Sequence, residues 1–422
     1  MFNTLQKEIS NKHMQKLKII SVNVNSIVAN QRRFSLYNLM NKHKPDIVFL
    51  SETKLRESHV VNFKDFNIIR DDRKHAQGGG TAIIMKKNIS YKKIATHSTR
   101  TDSVLEHTII KIKIGTNMHL YLIAAYATCG AQKEFIPELE NLFKKLKLGQ
   151  DNNYFVLAGD LNAKHTSWLN PNCNARGVSL DKWLKEREFF YKIKLYCTRF
   201  PSYPQGRSYL DVILADVRLE FEDALDGFKL PNVPYDSDHN AILTSIALTN
   251  NTAFLVETMM EGNKFNYKKA DWNKFSSRLE ELNHNDIPNN RNLLLTETIK
   301  HLENLDKYIV KAMSEKIPTI KPKNSSDSYV TPEITNLQKL KSHILTQLHN
   351  AQKSWPLVNE QTINILKKLL NIVRYRLKNE FKNTINKYWK EKIQNIPIND
   401  SSVMFPRINR IFRKKKQPKY RL

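Results

Sequence analysis

Cysteine is scarce in this sequence of 422 residues, and long apolar runs are missing. Cys129, Cys173 and Cys197 are an odd number without CxxC spacing, which argues against a disulfide framework or a zinc ribbon and favours a reducing compartment. The longest apolar run, "YLIAAYA", is far shorter than the roughly 20 residues of a membrane span. Residues 1–15 lack the apolar run and cleavage site of a secretory signal. We therefore expect an intracellular chain without a membrane anchor.

Acidic residues are rare towards the end of the chain. Residues 339–422 hold 20 Lys and Arg but 4 Asp and Glu, whereas residues 251–338 hold 12 of each and residues 1–250 hold 36 and 25. Much of the net charge of +27 therefore lies in the last fifth of the sequence. Such a segment favours polyanionic partners, and without a membrane anchor these are expected to be nucleic acids. A lysine-rich helix face exposed to solvent is the alternative.

Short apolar runs recur from about residue 17 to residue 248. Some alternate apolar and polar residues and others are continuously apolar, a mixture typical of two sheets packed face to face. Between them, "RRFSLYNLMNKH" and "GVSLDKWLKEREFF" have the spacing of amphipathic helices. The pattern predicts a layered α/β sandwich. The predicted strands are "LKIISVNV", "DIVFLSE", "GGGTAIIM", "HTIIKIKI", "HLYLIAAYA", "YFVLAGDLN", "LDVILADV" and "NAILTSIAL".

Beyond residue 250 helical periodicity dominates. Helices are predicted in "ADWNKFSSRLEEL", "TETIKHLENLDKYIVKAMSEKI", "TPEITNLQKLKSHILTQLHNAQKSW" and a long stretch ending in "KYWKEKI". The third opens with Thr331 as N-cap and Pro332 at the first helical position. "PTIKPKNSSDSY" is expected to be a mobile linker. The predicted organisation is an extension (1–15), the sandwich (16–249), a linker (250–270), an all-α basic region (271–400) and a basic tail (401–422).

Polar side chains gather where the predicted strands meet loops. "SVNVNS" places Asn23 and Asn25 on one side of the chain, and "FLSET" ends a strand in Glu52. The remaining groups follow in "LAGDLNA", "SYLDVIL" and "SDHNAI", which supply Asp160, Asn162, Asp211, Asp238 and His239. Asp238 and His239 alone would be an ordinary surface pair. Together, these groups indicate one rigid site.

The chemistry that fits these residues is metal-assisted phosphodiester hydrolysis. Glu52 and the amide oxygen of Asn25 are hard oxygen ligands suited to Mg²⁺, with Mn²⁺ as an alternative ion. Asp160 would accept a proton from the attacking water, and Asn162 would orient that water or the phosphate. His239, kept cationic by Asp211, would donate a hydrogen bond to the charge that develops on the phosphate.

The order "NVN", "SET", "GDLN", "SYLD", "SDH" resembles the endonuclease/exonuclease/phosphatase family. More closely, "GDLNAKHTSWLNPNCNARGVSLDKWL" resembles the endonuclease domain of jockey-like non-LTR retrotransposons. The resemblance covers about residues 17–248 and implies a four-layered α/β/β/α sandwich of the deoxyribonuclease I type. It also implies a catalytic set, with Glu52 as the chief metal ligand, Asp238 close to the metal, and Thr198 and Ser208 on the DNA side of the cleft. That implied set is Asn23, Glu52, Tyr126, Asp160, Asn162, Asp211 and His239.

The resemblance implies a Mg²⁺-dependent endonuclease that nicks double-stranded DNA in the nucleus and leaves a 3′ hydroxyl to prime reverse transcription. The element's RNA is a further expected partner. The helical region resembles the segment that precedes the polymerase in such elements, but no alanine-Asp-Asp triplet after tyrosine or phenylalanine occurs, so a truncated or split copy is expected. An abasic-site repair endonuclease and an inactive nucleic-acid-binding remnant stay open. The fold also serves phosphatases and lipid phosphodiesterases.

Overall fold

The computed structural model describes most of the chain. The described residues are 9–14, 16–74, 77–95, 103–129, 132–248, 254–259, 269–283, 304–305, 308–309, 311–318, 329–354 and 357–395. They fall into two compact units, one formed by residues 10–258 with 328–422 and the other by residues 1–9 with 259–327. Within the described residues, no helix is long and apolar enough to cross a membrane.

The first sheet of the larger unit has seven strands. They are β6 (Lys92–Ile94), β7 (Leu105–Gly115), β8 (Met118–Ala127), β9 (Asn153–Asp160), β10 (Ile193–Thr198), β11 (Asp211–Asp216) and β13 (Lys229–Leu230). Their spatial order is β13-β10-β11-β9-β8-β7-β6. Strands β8 and β9 are parallel, whereas β11 runs antiparallel to β9, so the end of β9 meets the start of β11.

The second sheet also has seven strands. They are β2 (Leu17–Asn23), β3 (Ile47–Ser51), β4 (Phe66–Asp71), β5 (Thr81–Lys86), β12 (Leu219–Phe221), β14 (Asn232–Val233) and β15 (Ala241–Leu248). The order is β12-β15-β2-β3-β5-β4, and β14 pairs with β15. Strands β2 and β3 are parallel, so their carboxyl ends lie side by side.

The two sheets pack face to face and helices cover their outer faces. Ile19 and Phe49 of the second sheet share one apolar core with Leu122 and Val156 of the first. Helices α2 (Phe135–Leu146) and α3 (Ala175–Tyr191) cover the first sheet. Helix α1 (Asn30–His43) covers the second. These layers confirm the α/β/β/α sandwich. Short 3-10 turns are Gln132–Glu134, Thr166–Trp168 and Pro204–Gly206.

Each of the eight predicted strand segments holds a strand, but the sandwich contains more. Neither β4, which carries polar residues on both faces, nor β10, which has Lys194 near its start, is among the predicted strands. Two further strands, β1 (Ile9–Met14) and β16 (Phe254–Met259), pair as a separate two-stranded sheet. They lie in segments for which the sequence predicted only an extension and a linker.

Three helices are described in full after residue 260: α4 (Trp272–Asn283), α5 (Pro332–Lys353) and α6 (Glu360–Gln394). Helix α4 belongs to the smaller unit, and α5 and α6 belong to the same unit as the sandwich. Thr331 caps α5 by accepting a hydrogen bond from the Ile334 N–H, as predicted. Half of the predicted helix at 296–317 lies outside the described residues, and residues 311–316 of it are helical; the whole basic tail lies outside.

Helices α5 and α6 pack on each other and on α1. Their shared apolar cluster includes Ile344 and Leu377, and the ring of Phe34 on α1 lies 5.7 Å from that of Phe381 on α6. The sequence treated residues 271–400 as one helical region behind the sandwich. In the structure, α5 and α6 extend the body of the sandwich itself.

Candidate active site

Strand ends from both sheets meet at one edge of the sandwich. In the second sheet, Asn23 at the end of β2 pairs with Ser51 at the end of β3. In the first sheet, Asp160 at the end of β9 pairs with Asp211 at the start of β11 and with Tyr126 on β8. The predicted site residues therefore come from neighbouring strand ends, where the sheets hold them rigidly.

Asn23 connects the two sheets through its side-chain amide. Its Nδ2 donates to Glu52 Oε1 at 3.0 Å and to Asp160 Oδ2 at 2.9 Å. Its Oδ1 accepts from the Asn25 N–H at 3.0 Å. Asn23 and Asp160 are almost fully buried. One amide group thus holds two carboxylates from different sheets. It donates a hydrogen bond to one oxygen of each and leaves the negative charge of both in place.

His239 is clamped by a buried carboxylate. Its Nδ1 lies 2.6 Å from Asp211 Oδ2, which fixes Nδ1 as the hydrogen-bond donor and leaves Nε2 to face Asp160 Oδ2 at 3.9 Å. Burial alone would lower the pKa of His239, but the charge and hydrogen bond of Asp211 and the charge of Asp160 raise it to about 10. The imidazole is therefore a cation at neutral pH.

The pKa of Asp160 is also raised, but here burial contributes to the rise. Burial and the charge of Asp211 raise the pKa of Asp160 to about 6, although His239 and hydrogen bonds from Asn162 and Asn23 oppose the rise. A carboxylate with this pKa is ionised at neutral pH and is a stronger base than an exposed aspartate. Asp160 thus combines the charge state and the basicity that a proton acceptor needs.

Glu52, Asn25 and Asp238 form the oxygen-rich side of the site. Asn25 donates from Nδ2 to Asp238 Oδ1 at 3.0 Å, which leaves its own Oδ1 as an acceptor. Lys54 Nζ lies 2.5 Å from that Oδ1 and 3.1 Å from Glu52 Oε2. An ammonium between these two oxygens marks a place where a cation is stabilised. These are the hard oxygen donors that a divalent cation prefers, so the residues fit such an ion.

No cluster of three or more His, Cys, Asp and Glu able to hold a metal occurs among the described residues. The candidate ligands are two carboxylates and an amide instead. That composition suits Mg²⁺, which keeps several water ligands and needs few from the protein. It does not suit zinc, which takes nitrogen and sulfur ligands in structural sites.

Three of these residues have a left-handed backbone conformation where the chain leaves a strand. Asn25, Glu52 and Asn162 follow their strands with φ of 42°, 52° and 48°. This left-handed conformation is unusual for a glutamate and costs of order 1–3 kcal/mol, which points to a functional constraint. Gly159 has φ of 154°, and a Cβ there would lie 1.9 Å from the Ala125 carbonyl oxygen. Only glycine therefore fits immediately before Asp160.

Tyr126 and Asn162 lie beside these groups. Tyr126 is buried, and burial together with the charges of Glu52 and Asp160 raises its pKa, so the phenol keeps its proton. The Asn162 N–H donates to Asp160 Oδ1 at 2.9 Å, and Nδ2 donates to the Ala127 carbonyl at 2.9 Å. Asn162 therefore holds Asp160 in place as well as lying next to it.

The two residues expected on the DNA side of the cleft are not exposed. Thr198 and Ser208 are fully or almost fully buried. Thr198 donates to the Phe200 carbonyl at 2.6 Å and Ser208 donates to the Gly206 carbonyl at 2.8 Å. Both hydroxyls thus stabilise local turns. Their place on the DNA side of the cleft stays a prediction.

Three residues of the site were not singled out from the sequence. Lys54 lies over the candidate metal ligands. Ser237 Oγ donates to the Asn23 carbonyl at 2.8 Å and accepts from the His239 N–H at 2.9 Å. Ser202 Oγ accepts from the Asp211 N–H at 3.0 Å. Lys54 and Ser237 stand within the "SETK" and "SDH" segments, but only the folded loops show what they contact.

The chain is similar to several known proteins. It is 23% identical over 153 residues to the RNA-directed DNA polymerase from mobile element jockey of Drosophila melanogaster, which is 36% of this chain and 15% of that protein. The corresponding protein of Drosophila funebris is 26% identical over 149 residues, again 15% of its length. The chain therefore matches only a small part of these relatives.

Solved structures with a similar chain fold include the endonuclease domain of TRAS1, a telomere-specific non-LTR retrotransposon. It is 16% identical with a TM-score of 0.41, covering 55% of this chain and 99% of that one. The AP endonuclease LMAP from Leishmania major is 15% identical with a TM-score of 0.42, covering 55% and 88%. The family model described as Endonuclease/Exonuclease/phosphatase family matches residues 20–239, just over half of the chain. The chain thus belongs to the endonuclease/exonuclease/phosphatase family of metal-dependent phosphodiester hydrolases.

Proposed function

We propose that this protein is a Mg²⁺-dependent DNA endonuclease that nicks one strand and leaves a 3′ hydroxyl from which reverse transcription is primed in the nucleus. One observation carries the proposal. Glu52, Asn23, Asp160, His239 and Asp211 follow one another within 2.6–3.9 Å across the two sheets. The site thereby brings together the basic carboxylate of Asp160 and the cationic imidazole of His239. The carboxylate of Glu52, beside an amide oxygen, lies next to them.

The protein residues have separate tasks in hydrolysis. Asp160 accepts the proton of the attacking water, because burial and Asp211 make it a stronger base. His239 donates from Nε2 to a non-bridging phosphate oxygen, because Nδ1 is committed to Asp211. Asn23 keeps Asp160 and Glu52 at fixed positions while charge develops on the phosphate. Each group is already oriented before a substrate arrives, which reduces reorganisation during the reaction.

Glu52, Asn25 and Asp238 would hold the divalent cation. Such an ion, when bound, polarises the phosphoryl oxygen and neutralises charge on the leaving group. Lys54 Nζ contacts two of these oxygens, so we expect it to move aside or to turn towards the phosphate when the ion binds. Its long side chain allows either change because four carbon–carbon bonds can rotate.

The jockey relatives support the choice of DNA. They are named RNA-directed DNA polymerases from a mobile element, and an enzyme of that kind needs a 3′ hydroxyl on DNA. The chain's excess of basic residues favours the same substrate class. Phosphate esters of small molecules would not require this charge.

The test uses the purified chain with supercoiled plasmid and with a duplex that holds one abasic site, each with Mg²⁺ or with a chelator. We expect Mg²⁺-dependent relaxation of the plasmid, and extension of the nicked product by a DNA polymerase without further treatment. Cleavage confined to the abasic duplex would favour a repair endonuclease. A folded chain that cleaves neither substrate would refute the proposal.

A further inference from the structure

A groove runs along the sandwich beside the candidate active site. We call it the 200–207 groove, because residues 200–207 form one wall and helices α5 and α6 form the other. The two walls are 150 residues apart in the sequence and lie in the same compact unit. Residues that line the groove are Phe200, Pro204, Arg207, His349, Lys353 and Lys367.

The groove is continuous with the candidate active site. A second stretch of its lining contains Ser237 and Asp238 together with Lys367, which is common to both stretches. The ring of Tyr203, next to Pro204, lies 5.1 Å from the ring of His239. A ligand that lies along the groove therefore ends at the residues proposed to carry out the chemistry.

Cations outnumber acids in the stretch of the lining between residues 200–207 and the helices. Arg207, Lys353 and Lys367 supply three cations there, and Glu360 is its one acid. Lys353 Nζ lies 4.4 Å from the centre of the Phe200 ring, which holds the ammonium at the wall. Burial and the charge of Arg199 lower the pKa of Lys353. Arg199 is therefore a further cation close to this wall.

One buried polar group of the lining has an unused hydrogen-bonding atom. His349 is 5% exposed, and its Nε2 has no hydrogen-bond partner among the described residues. Buried polar atoms in proteins are rarely left unpaired. His349 lines both stretches of the groove, but Nε2 itself is closed off from solvent, so a ligand reaches this nitrogen only if the lining moves.

The helical wall is fixed to the catalytic loop by buried charges. Lys341 Nζ on α5 lies 2.7 Å from Asp236 Oδ2, and Arg374 Nε on α6 lies 2.8 Å from Asp236 Oδ1. Asp236 stands two residues before Asp238 and three before His239. The helices therefore hold a set position relative to the site, as one wall of a binding cleft must.

We propose that the 200–207 groove binds the phosphate backbone of the DNA beside the cleaved bond, with Lys353 and Lys367 contacting phosphates. The proposal rests on the proposed function for the identity of the polyanion. Phosphate chains carry one negative charge per nucleotide, which matches spaced cations on one wall better than a compact anion would. Helices α5 and α6 lie outside the part of the chain matched by the family model.

Two neighbouring lysines of α6 give a matched comparison. Lys367 lines the groove, whereas Lys368 is exposed and lines neither of its stretches. We compare Lys367→Gln with Lys368→Gln in the full chain, measuring binding to a short labelled duplex over a range of salt concentrations with a chelator present. Loss of one phosphate contact should lower the slope of log K against log salt by about 0.9 and weaken binding by about 3- to 10-fold.

We expect this change for Lys367→Gln and not for Lys368→Gln, with equal melting temperatures. Lys353→Gln should repeat the effect, and in the nicking assay the loss should appear in KM. Equal slopes for the Lys367 and Lys368 variants, with Lys353→Gln also like the wild type, would overturn the proposal. If the wild-type chain nicks no DNA, the proposed function fails, while the binding comparison still decides whether the groove contacts phosphates.

Discussion

At the scale of single residues, the site holds three carboxylates whose negative charges repel one another. Glu52, Asp160 and Asp211 all lie at the same edge of the sandwich, and Asp160 and Asp211 are buried. Asn23 donates hydrogen bonds to Glu52 and Asp160. The cationic His239 lies between Asp160 and Asp211. An acid in place of Asn23 would add a fourth charge and remove two hydrogen bonds. The amide at this position is therefore required electrostatically.

The pKa values of Asp160 and His239 predict a bell-shaped pH dependence of kcat/KM for nicking. Asp160 accepts a proton only when ionised, so the rate should rise as pH increases through about 6. His239 donates only when protonated, so the rate should fall above about 10. The negative charge of Asp211 raises both values. Asp211→Asn should therefore move both limbs to lower pH and reduce the maximum by about 10²-fold or more.

A pH profile of the wild type and of Asp211→Asn, measured on the same plasmid, checks this coupling. His239→Gln serves as the control, because the alkaline limb should then be absent. Limbs of Asp211→Asn that stay in place, or that move in opposite directions, would contradict the shared role of Asp211.

Glu52→Gln should abolish nicking while the chain stays folded. The amide keeps the size of the side chain but loses the charge that a divalent cation needs, so activity should fall by at least about 10²-fold. Mg²⁺ should raise the melting temperature of the wild type and should not raise that of the variant. A folded Glu52→Gln protein that still nicks DNA in Mg²⁺ would remove Glu52 from the metal site. Glu57→Gln, an exposed acid on the loop that follows, is the control for charge alone.

Much of the residue-level prediction depended on strand ends. Asn23, Asp160, Asp211 and His239 could be grouped from the sequence because apolar strands precede or follow them closely, and the structure places them together. Lys54 and Ser202 could not, because their contacts depend on how two loops fold back. Thr198 and Ser208 stay predicted for the DNA side of the cleft, and their hydrogen bonds to Phe200 and Gly206 depend on turns that the sequence does not specify.

At the scale of elements, buried apolar strands were predictable and mixed ones were not. Strand β9 has an unbroken apolar run, whereas β10 (Ile193–Thr198) includes the exposed Lys194 and the polar Thr198 and has no such run. Helix α5 begins where Thr331 and Pro332 predict. Its length and position are set by packing on α6 and α1, which local periodicity does not specify.

The attachment of α5 to the sandwich depends on one buried ion cluster. Burial alone would raise the pKa of Asp236, but the charges of Lys341, Arg374 and Arg32 lower it to about 2. Lys341 is 1% exposed and Asp236 is 4% exposed. Removing one partner from such a pair leaves a buried charge, which is more harmful than removing both.

Lys341→Met should therefore destabilise the protein by about 3 kcal/mol, measured by denaturant unfolding, even though methionine fills a similar volume. The double variant Asp236→Asn with Lys341→Met should recover much of this loss, because neither charge remains. Lys339→Met, an exposed lysine on the same helix, is the control. A double variant that is less stable than Lys341→Met would argue against a charge-pair origin of the loss.

At the scale of the whole molecule, charge and architecture are connected. The sequence showed that residues 339–422 are strongly basic, and a polyanion partner was inferred from that. It did not show that two of the described helices in this segment pack on the sandwich. Asp236 and Lys341 are separated by 105 positions, and an isolated aspartate and lysine carry no sequence signal of their pairing. Residues 10–258 and 328–422 form one compact unit, and composition alone carries no signal of that packing.

Deleting residues 328–422 tests this integration. The deletion removes Lys341 and Arg374 from Asp236 and uncovers Phe34, so the remaining chain should melt at a lower temperature. Because Asp236 precedes Asp238 and His239, the nicking rate should fall even at saturating DNA, and the loss of the Lys367 wall should flatten the salt dependence of binding. Asp236→Asn in the shortened chain should restore part of the stability, since that carboxylate has lost Lys341 and Arg374 and keeps Arg32 as a cationic partner. A shortened chain that melts and nicks like the full chain would mean that α5 and α6 are dispensable additions to an independent nuclease.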